Sequence, residues 1–85
     1  MSEMSESIPE MSSLTPNDFF NRLAERVSGD NARLLLNSAL VRTGLYDSES
    51  HSPLAKSAVK SLCLELIRTG GPAFQVGQAL YREVH

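Results

Sequence analysis

Apolar residues recur at intervals of three and four through most of the chain, in four runs parted by glycine, proline and short polar stretches. That spacing is the signature of amphipathic helices. Phe19, Phe20, Leu23, Ala24 and Val27 predict a first helix over 16–28. Leu34, Leu35, Leu36, Ala39, Leu40 and Val41 predict a second over 31–43. Leu54, Ala55, Ala58, Val59, Leu62, Cys63, Leu66 and Ile67 carry the longest pattern and predict a third over 53–69. Ala73, Val76, Gly77, Leu80 and Val84 predict a fourth over 72–84. Period-two alternation is missing over any useful stretch, so no strand competes.

Proline and glycine punctuate the same runs. Thr15-Pro16, Ser52-Pro53 and Gly71-Pro72 each place proline where a helix would open, and there its missing N–H lacks an intrahelical partner anyway. Gly29, Gly44 and Gly70 follow the apolar runs, where a left-handed residue closes a helix. Thr15 with Asp18 reads as a capping box with Asp in place of Glu. Asp30 is the expected cap of the second helix, with Ser28 as its rival. Ala73 and Gly77, four apart, invite close approach of another helix. The expected fold is a single all-α domain, a small four-helix bundle over 14–85. It is preceded by a disordered acidic N-terminal tail, 1–13, rich in Ser and Glu and without a basic residue.

The apolar set looks larger than so small a bundle needs. Adjacent side chains on a helix diverge by about 100°, so Phe19 and Phe20 cannot both enter one narrow seam. Leu34, Leu35 and Leu36 sweep about 200° of helix surface, wider than one buried stripe. Leu64 interrupts the polar face of the third helix, while Phe74 and Tyr81 flank the stripe of the fourth. Leu45 and Tyr46 are expected to fold back on the core from the polar loop that follows Gly44. Surplus apolar surface on a small protein marks association. Phe20, Leu36, Leu64, Phe74 and Tyr81 are therefore the candidate protein-binding residues.

Composition removes other options. Eighty-five residues make one small domain, whose core leaves only a few kcal/mol of net stability. With one cysteine, Cys63, an internal disulfide is out of reach, and no Cys/His cluster has ligand spacing. Self-association is the remaining common support for so small a fold, hence the expected homodimer. No basic segment leads into an apolar one as in a signal peptide, and no apolar run spans a bilayer, so a cytoplasmic location is expected. The formal net charge of −2 argues against a chain whose main task is gripping phosphates.

Catalytic chemistry finds little footing. His51 lies in the polar loop and His85 is the last residue, neither beside a nucleophile in a recognisable setting. Cys63 falls on the core side of its helix and reads as a small buried hydrophobe. Gly70-Gly71-Pro72 lacks the Lys-Ser/Thr of a phosphate loop. No catalytic, cofactor-binding or metal-binding residue is assigned, and no cofactor is expected.

Two functions remain. The first is a small non-enzymatic regulatory or adaptor protein that binds other proteins, or itself, through helices. The second is a DNA-binding regulator in which 53–69 and 72–84 form a helix-turn-helix-like pair. Gln75, Gln78 and Arg82 would then face bases, while Lys56, Lys60 and Arg68 meet phosphates. Lys56–Val84, an apolar helix, a small-residue turn and a second apolar helix, resembles in outline the small helical dimeric regulators of bacterial biofilm and acid resistance. It holds none of their diagnostic residues, and no function is carried over.

Overall fold

The computed structural model describes residues 11–84. The expected disorder of residues 1–10, and His85, lie outside the described residues. Four helices follow one another: α1 Pro16–Ala24, α2 Gly29–Arg42, α3 Lys56–Thr69 and α4 Gly71–Val84. Each packs on its neighbour in sequence, and α4 returns to α1, so the four close into a ring around one core. Phe19 and Leu23 from α1, Ala32, Leu36, Ala39 and Leu40 from α2, Val59, Leu62, Cys63 and Leu66 from α3, and Ala73, Val76 and Leu80 from α4 fill it. The all-α bundle read from periodicity is thus the architecture observed.

Local chemistry sets the helix ends. Thr15 Oγ1 accepts from Asp18 N at 3.2 Å while Asp18 Oδ2 accepts from Thr15 N at 2.9 Å, so the capping box forms with Asp in the Glu position. α1 stops at Ala24, four residues earlier than the pattern predicts. Arg26 N and Val27 N both donate to Leu23 O, and this tight last turn brings Val27 against the core. Ser28, not Asp30, caps α2, its Oγ accepting from Asn31 N at 3.3 Å. Gly29 consequently sits in the first turn of α2 rather than closing α1 in a left-handed conformation. α2 ends in a Schellman motif, with Leu45 N donating to Leu40 O and Gly44 N to Val41 O.

The start of α3 departs furthest from expectation. Pro53 does not open the helix, which begins at Lys56 with Ala55 as an N-cap that has no side-chain bond. Leu54 is occupied elsewhere: its N–H donates to Leu14 O, and its carbonyl accepts from Ser12 N and Ser12 Oγ. Met11 and Ala55 complete this antiparallel clasp with an isolated bridge. Residues 11–13, grouped above with the tail, are therefore bonded to the entry of α3. A residue whose backbone groups face another segment cannot also enter a helical ladder. Asn17 N donating to Ser50 O ties the same long loop to α1.

α3 and α4 form the tightest pair. One residue, Gly70, connects them, and both Gly70 and Gly71 take left-handed φ, +84° and +60°. Two such residues in succession suit only glycine. Seven positions on either side of Gly70, Gly77 lies against Cys63. A Cβ at 77 would stand 2.7 Å from the Cys63 carbonyl oxygen and 2.9 Å from Leu66 Cβ. The close helix contact expected from Ala73 and Gly77 is present.

Candidate functional site

The Gly77 contact decides which flanks of α3 and α4 meet. Gly77 faces Cys63 and Ile67. Phe74 and Tyr81, three before and four after Gly77, share its side of α4, while Leu64 and Lys60, three and seven before Ile67, share its side of α3. The outer lip of the α3–α4 seam therefore carries Lys60 and Leu64 on α3 and Phe74 and Tyr81 on α4, with Arg68 and Gln78 at its rim, while Arg82, seven after Gln75, shares the side of α4 that Gln75 presents to Arg26. Leu64 is 50 % exposed and Phe74 39 %, and Tyr81 is half-buried against the core. Arg68, Gln78 and Arg82 are exposed and Lys60 half-exposed.

Among the described residues, no carboxylate is centred on this lip. The described part of the α3–α4 pair holds two acids, Glu65 and Glu83, and each turns toward another helix. Glu65 is buried, accepts from Arg42 of α2 at 3.2 Å, and keeps a longer contact of 3.9 Å to Arg68. Glu83 pairs with Arg22 of α1 at 2.5 Å. Gln75 points the same way, its Oε1 accepting from Arg26 at 2.6 Å. The lip is thus apolar at its middle and basic at its edges.

Two other surfaces hold the remaining apolar surplus. Leu34 and Val41, seven apart on α2, are exposed on the side opposite its core residues. Leu36, expected above as a contact residue, is buried in the core instead, and Leu34 is the member of the leucine triplet that meets solvent. The third surface is a cleft of about 210 Å³ between α1, α2 and the loop after Gly44. Phe20 forms one wall, half-buried, with the Arg33 guanidinium 5.2 Å above its ring. Tyr46 does not fold back on the core. It stands 71 % exposed at the cleft, and only Leu45 packs inward.

Six of the residues singled out in the sequence, Lys60, Leu64, Arg68, Phe74, Gln78 and Tyr81, therefore come together on one lip or at its rim. Phe20 lies on a different face, and Lys56 is in the first turn of α3. The pair expected to be helix-turn-helix-like, 53–69 and 72–84, is joined by one residue, Gly70, and its two helices still touch seven residues on either side of it. Gln75 is also engaged by Arg26 rather than presented outward on the lip. The exposed pair Leu34 and Val41 was legible only as membership of an over-wide stripe.

Cys63 has no exposed surface, and burial pushes its thiol up to about 12, the nearby Glu83 charge adding to the effect. The nucleophilic thiolate is consequently absent from the folded protein at neutral pH. Below pH 9.0, the thiol's ordinary value, both folded and unfolded chains keep the proton. Above it the unfolded chain ionises first, so this group lowers stability as pH rises from 9.0 toward about 12. A disulfide-exchange reagent should label Cys63 at the rate of unfolding and no faster. Urea midpoints should fall on passing pH 9.0, and fall less steeply in Cys63→Ala. Rapid labelling of the folded chain would contradict the burial.

Among the described residues, no three His, Cys, Asp or Glu side chains gather to hold a metal ion, and no helix is long and apolar enough to cross a membrane. Compared with protein-family models, curated proteins and solved structures, the chain matches none.

Proposed function

We propose that this chain is a small regulatory or adaptor protein that works by binding another protein, with the α3–α4 lip as its binding face. The lip supports this because it joins exposed Leu64 and Phe74 to Lys60 and, at its rim, Arg68, with no carboxylate of the described residues at its centre. An apolar stripe edged by one sign of charge complements an amphipathic segment edged by the other. The partner is accordingly an acidic amphipathic segment.

Self-association belongs to a different face. Pairing the lip with its own copy across a two-fold axis would set Lys60 and Arg68 against like charges. The Leu34–Val41 stripe of α2 has Ser38 between its two apolar residues and no charge there, so it suits a homodimer.

Substitutions separate the two roles. The wild-type chain should sediment as a dimer at micromolar concentration, and Leu34→Glu as a monomer. Leu64→Asp should remain dimeric while losing the proteins captured by the wild type from its native cell. A wild-type chain that stays monomeric removes the self-association. Capture that survives both Leu64→Asp and Arg68→Glu removes the lip.

Duplex DNA is the second occupant to test, because Lys60, Arg68 and Gln78 lie along one seam and Arg82 stands exposed on the next side of α4. Phosphate binding there would weaken steeply with added salt and with Arg82→Ala.

A further inference from the structure

We infer that the cleft between α1, α2 and the loop after Gly44 is a binding site for a small monocyclic aromatic carboxylate. It shares no residue with the α3–α4 lip, and its role is separate from the protein binding proposed for that lip.

The lining divides by chemistry. Pro16, Leu36 and Leu40 are buried and make its floor, and half-buried Phe20 makes one wall. Asn17, Arg33, Asn37 and Ser48 stand around them. An apolar base with a few convergent polar groups is the build of a small-molecule site. Helical spacing puts the parts in place. Arg33, Leu36, Asn37 and Leu40 share one side of α2, and Pro16 and Phe20, four apart, share a side of α1. Main-chain bonds pin the loop to both helices. Leu45 N donates to Leu40 O at 2.8 Å, Ser48 N to Leu45 O at 3.0 Å, and Asn17 N to Ser50 O at 2.9 Å. The cleft is therefore formed before a ligand enters.

Size and charge select the ligand. The cleft measures about 210 Å³. A cavity of about 150 Å³ accepts benzene, so one ring and a carboxylate fit, whereas drug-sized ligands need about 300 Å³ or more. Among the described residues, Arg33 is the only ionised side chain in the lining. Its guanidinium lies 5.2 Å from the Phe20 ring centroid. Stacking on a ring restrains the planar fork without consuming its N–H donors, which match a carboxylate in bidentate fashion. The Asn17 and Asn37 amides and the Ser48 hydroxyl add neutral donors. A phosphate dianion would find a single counter-charge there, and Asp47 and Glu49, on either side of Ser48, would oppose it. The ligand is accordingly a monoanion. Tyr46, 71 % exposed at the cleft, is a second ring without apolar cover, and the ligand's ring supplies it.

Titration of the full chain with phenylacetate, followed in ¹H–¹⁵N correlation spectra, tests this. Amide signals of Asn17, Phe20, Arg33, Asn37 and Ser48 should shift and saturate at millimolar ligand, while those of Leu64 and Phe74 stay in place. Acetate lacks the ring and phenylacetamide lacks the charge. Each should bind about tenfold more weakly, the worth of one charge-assisted hydrogen bond in the second case. Arg33→Gln should bind phenylacetate no better than phenylacetamide, and because Arg33 is exposed the remaining spectrum should be that of the wild-type fold. Phe20→Leu should weaken both ligands alike. No saturating shift at the cleft, an equal response to acetate, or a preference for phenylacetate that survives Arg33→Gln would each overturn the inference. Leu64→Asp should leave the titration unchanged, so this reading and that of the lip fail separately.

Discussion

Gly77→Ala is expected to destabilise the fold by about 1–3 kcal/mol, the range for forcing an extra methyl into a packed core. The sign is informative because intrinsic propensity points the other way. Alanine in a helix interior is favoured over glycine by about 1 kcal/mol. The new methyl would meet the Cys63 carbonyl oxygen at 2.7 Å and Leu66 Cβ at 2.9 Å. Neither is the free end of a side chain that can swing away. α3 and α4 must separate, and the contacts of Ala73, Val76 and Leu80 with α3 loosen with them. Ala79→Gly, at an exposed position of the same helix, serves as the control. It should lose only the propensity difference, about 1 kcal/mol. Urea denaturation of both variants measures the effect, and a Gly77→Ala chain more stable than wild type would show that the helices are not in this contact.

What the sequence discloses and what it hides follow from how local each cause is. The Thr15–Asp18 box, the Gly70 turn and the Ala73–Gly77 contact are written in residues a few positions apart, and all three appear as read. The start of α3 is hidden because it depends on Ser12 and Leu14, some forty residues away in sequence, taking the backbone groups of Leu54. Ser52-Pro53 looks like a helix opening and would be one if Leu54 were free to join it. Leu36 and Leu34 are chemically identical, and a run of three leucines contains no signal for its own rotation about the helix axis. Only the packing of α2 between α1 and α3 selects Leu36 for the core. The candidate lip was half legible. Leu64, Phe74 and Tyr81 stand out as apolar residues off the main stripe. Their convergence requires knowing that α3 and α4 run antiparallel in contact, and the missing charge at the centre of the lip requires knowing where Glu65 and Glu83 turn.

Phe19→Ala is expected to abolish the native fold, while its neighbour Phe20→Ala leaves the fold standing. Phe19 has no exposed surface and belongs to the central cluster. Truncating a buried phenylalanine to alanine costs about 3–5 kcal/mol, the same size as the net stability that a core of this size supplies, about 3–5 kcal/mol. α1 has 9 residues, and a helix shorter than about 12 residues is marginal without tertiary contacts. Beside Pro16 at its start, Phe19 and Leu23 are the buried side chains of α1, so removing Phe19 detaches the helix and opens the ring between α2 and α4. Phe20 is half-buried at the cleft, and its substitution removes the seat of Arg33 and one wall of that cleft. The expected loss there is about 1–2 kcal/mol, smaller than for full burial. Circular dichroism should show a cooperative thermal transition for Phe20→Ala at reduced midpoint, and none for Phe19→Ala. The reverse order would mean that α1 is rotated by one residue, about 100°, and that Phe20 rather than Phe19 is the anchor of the bundle.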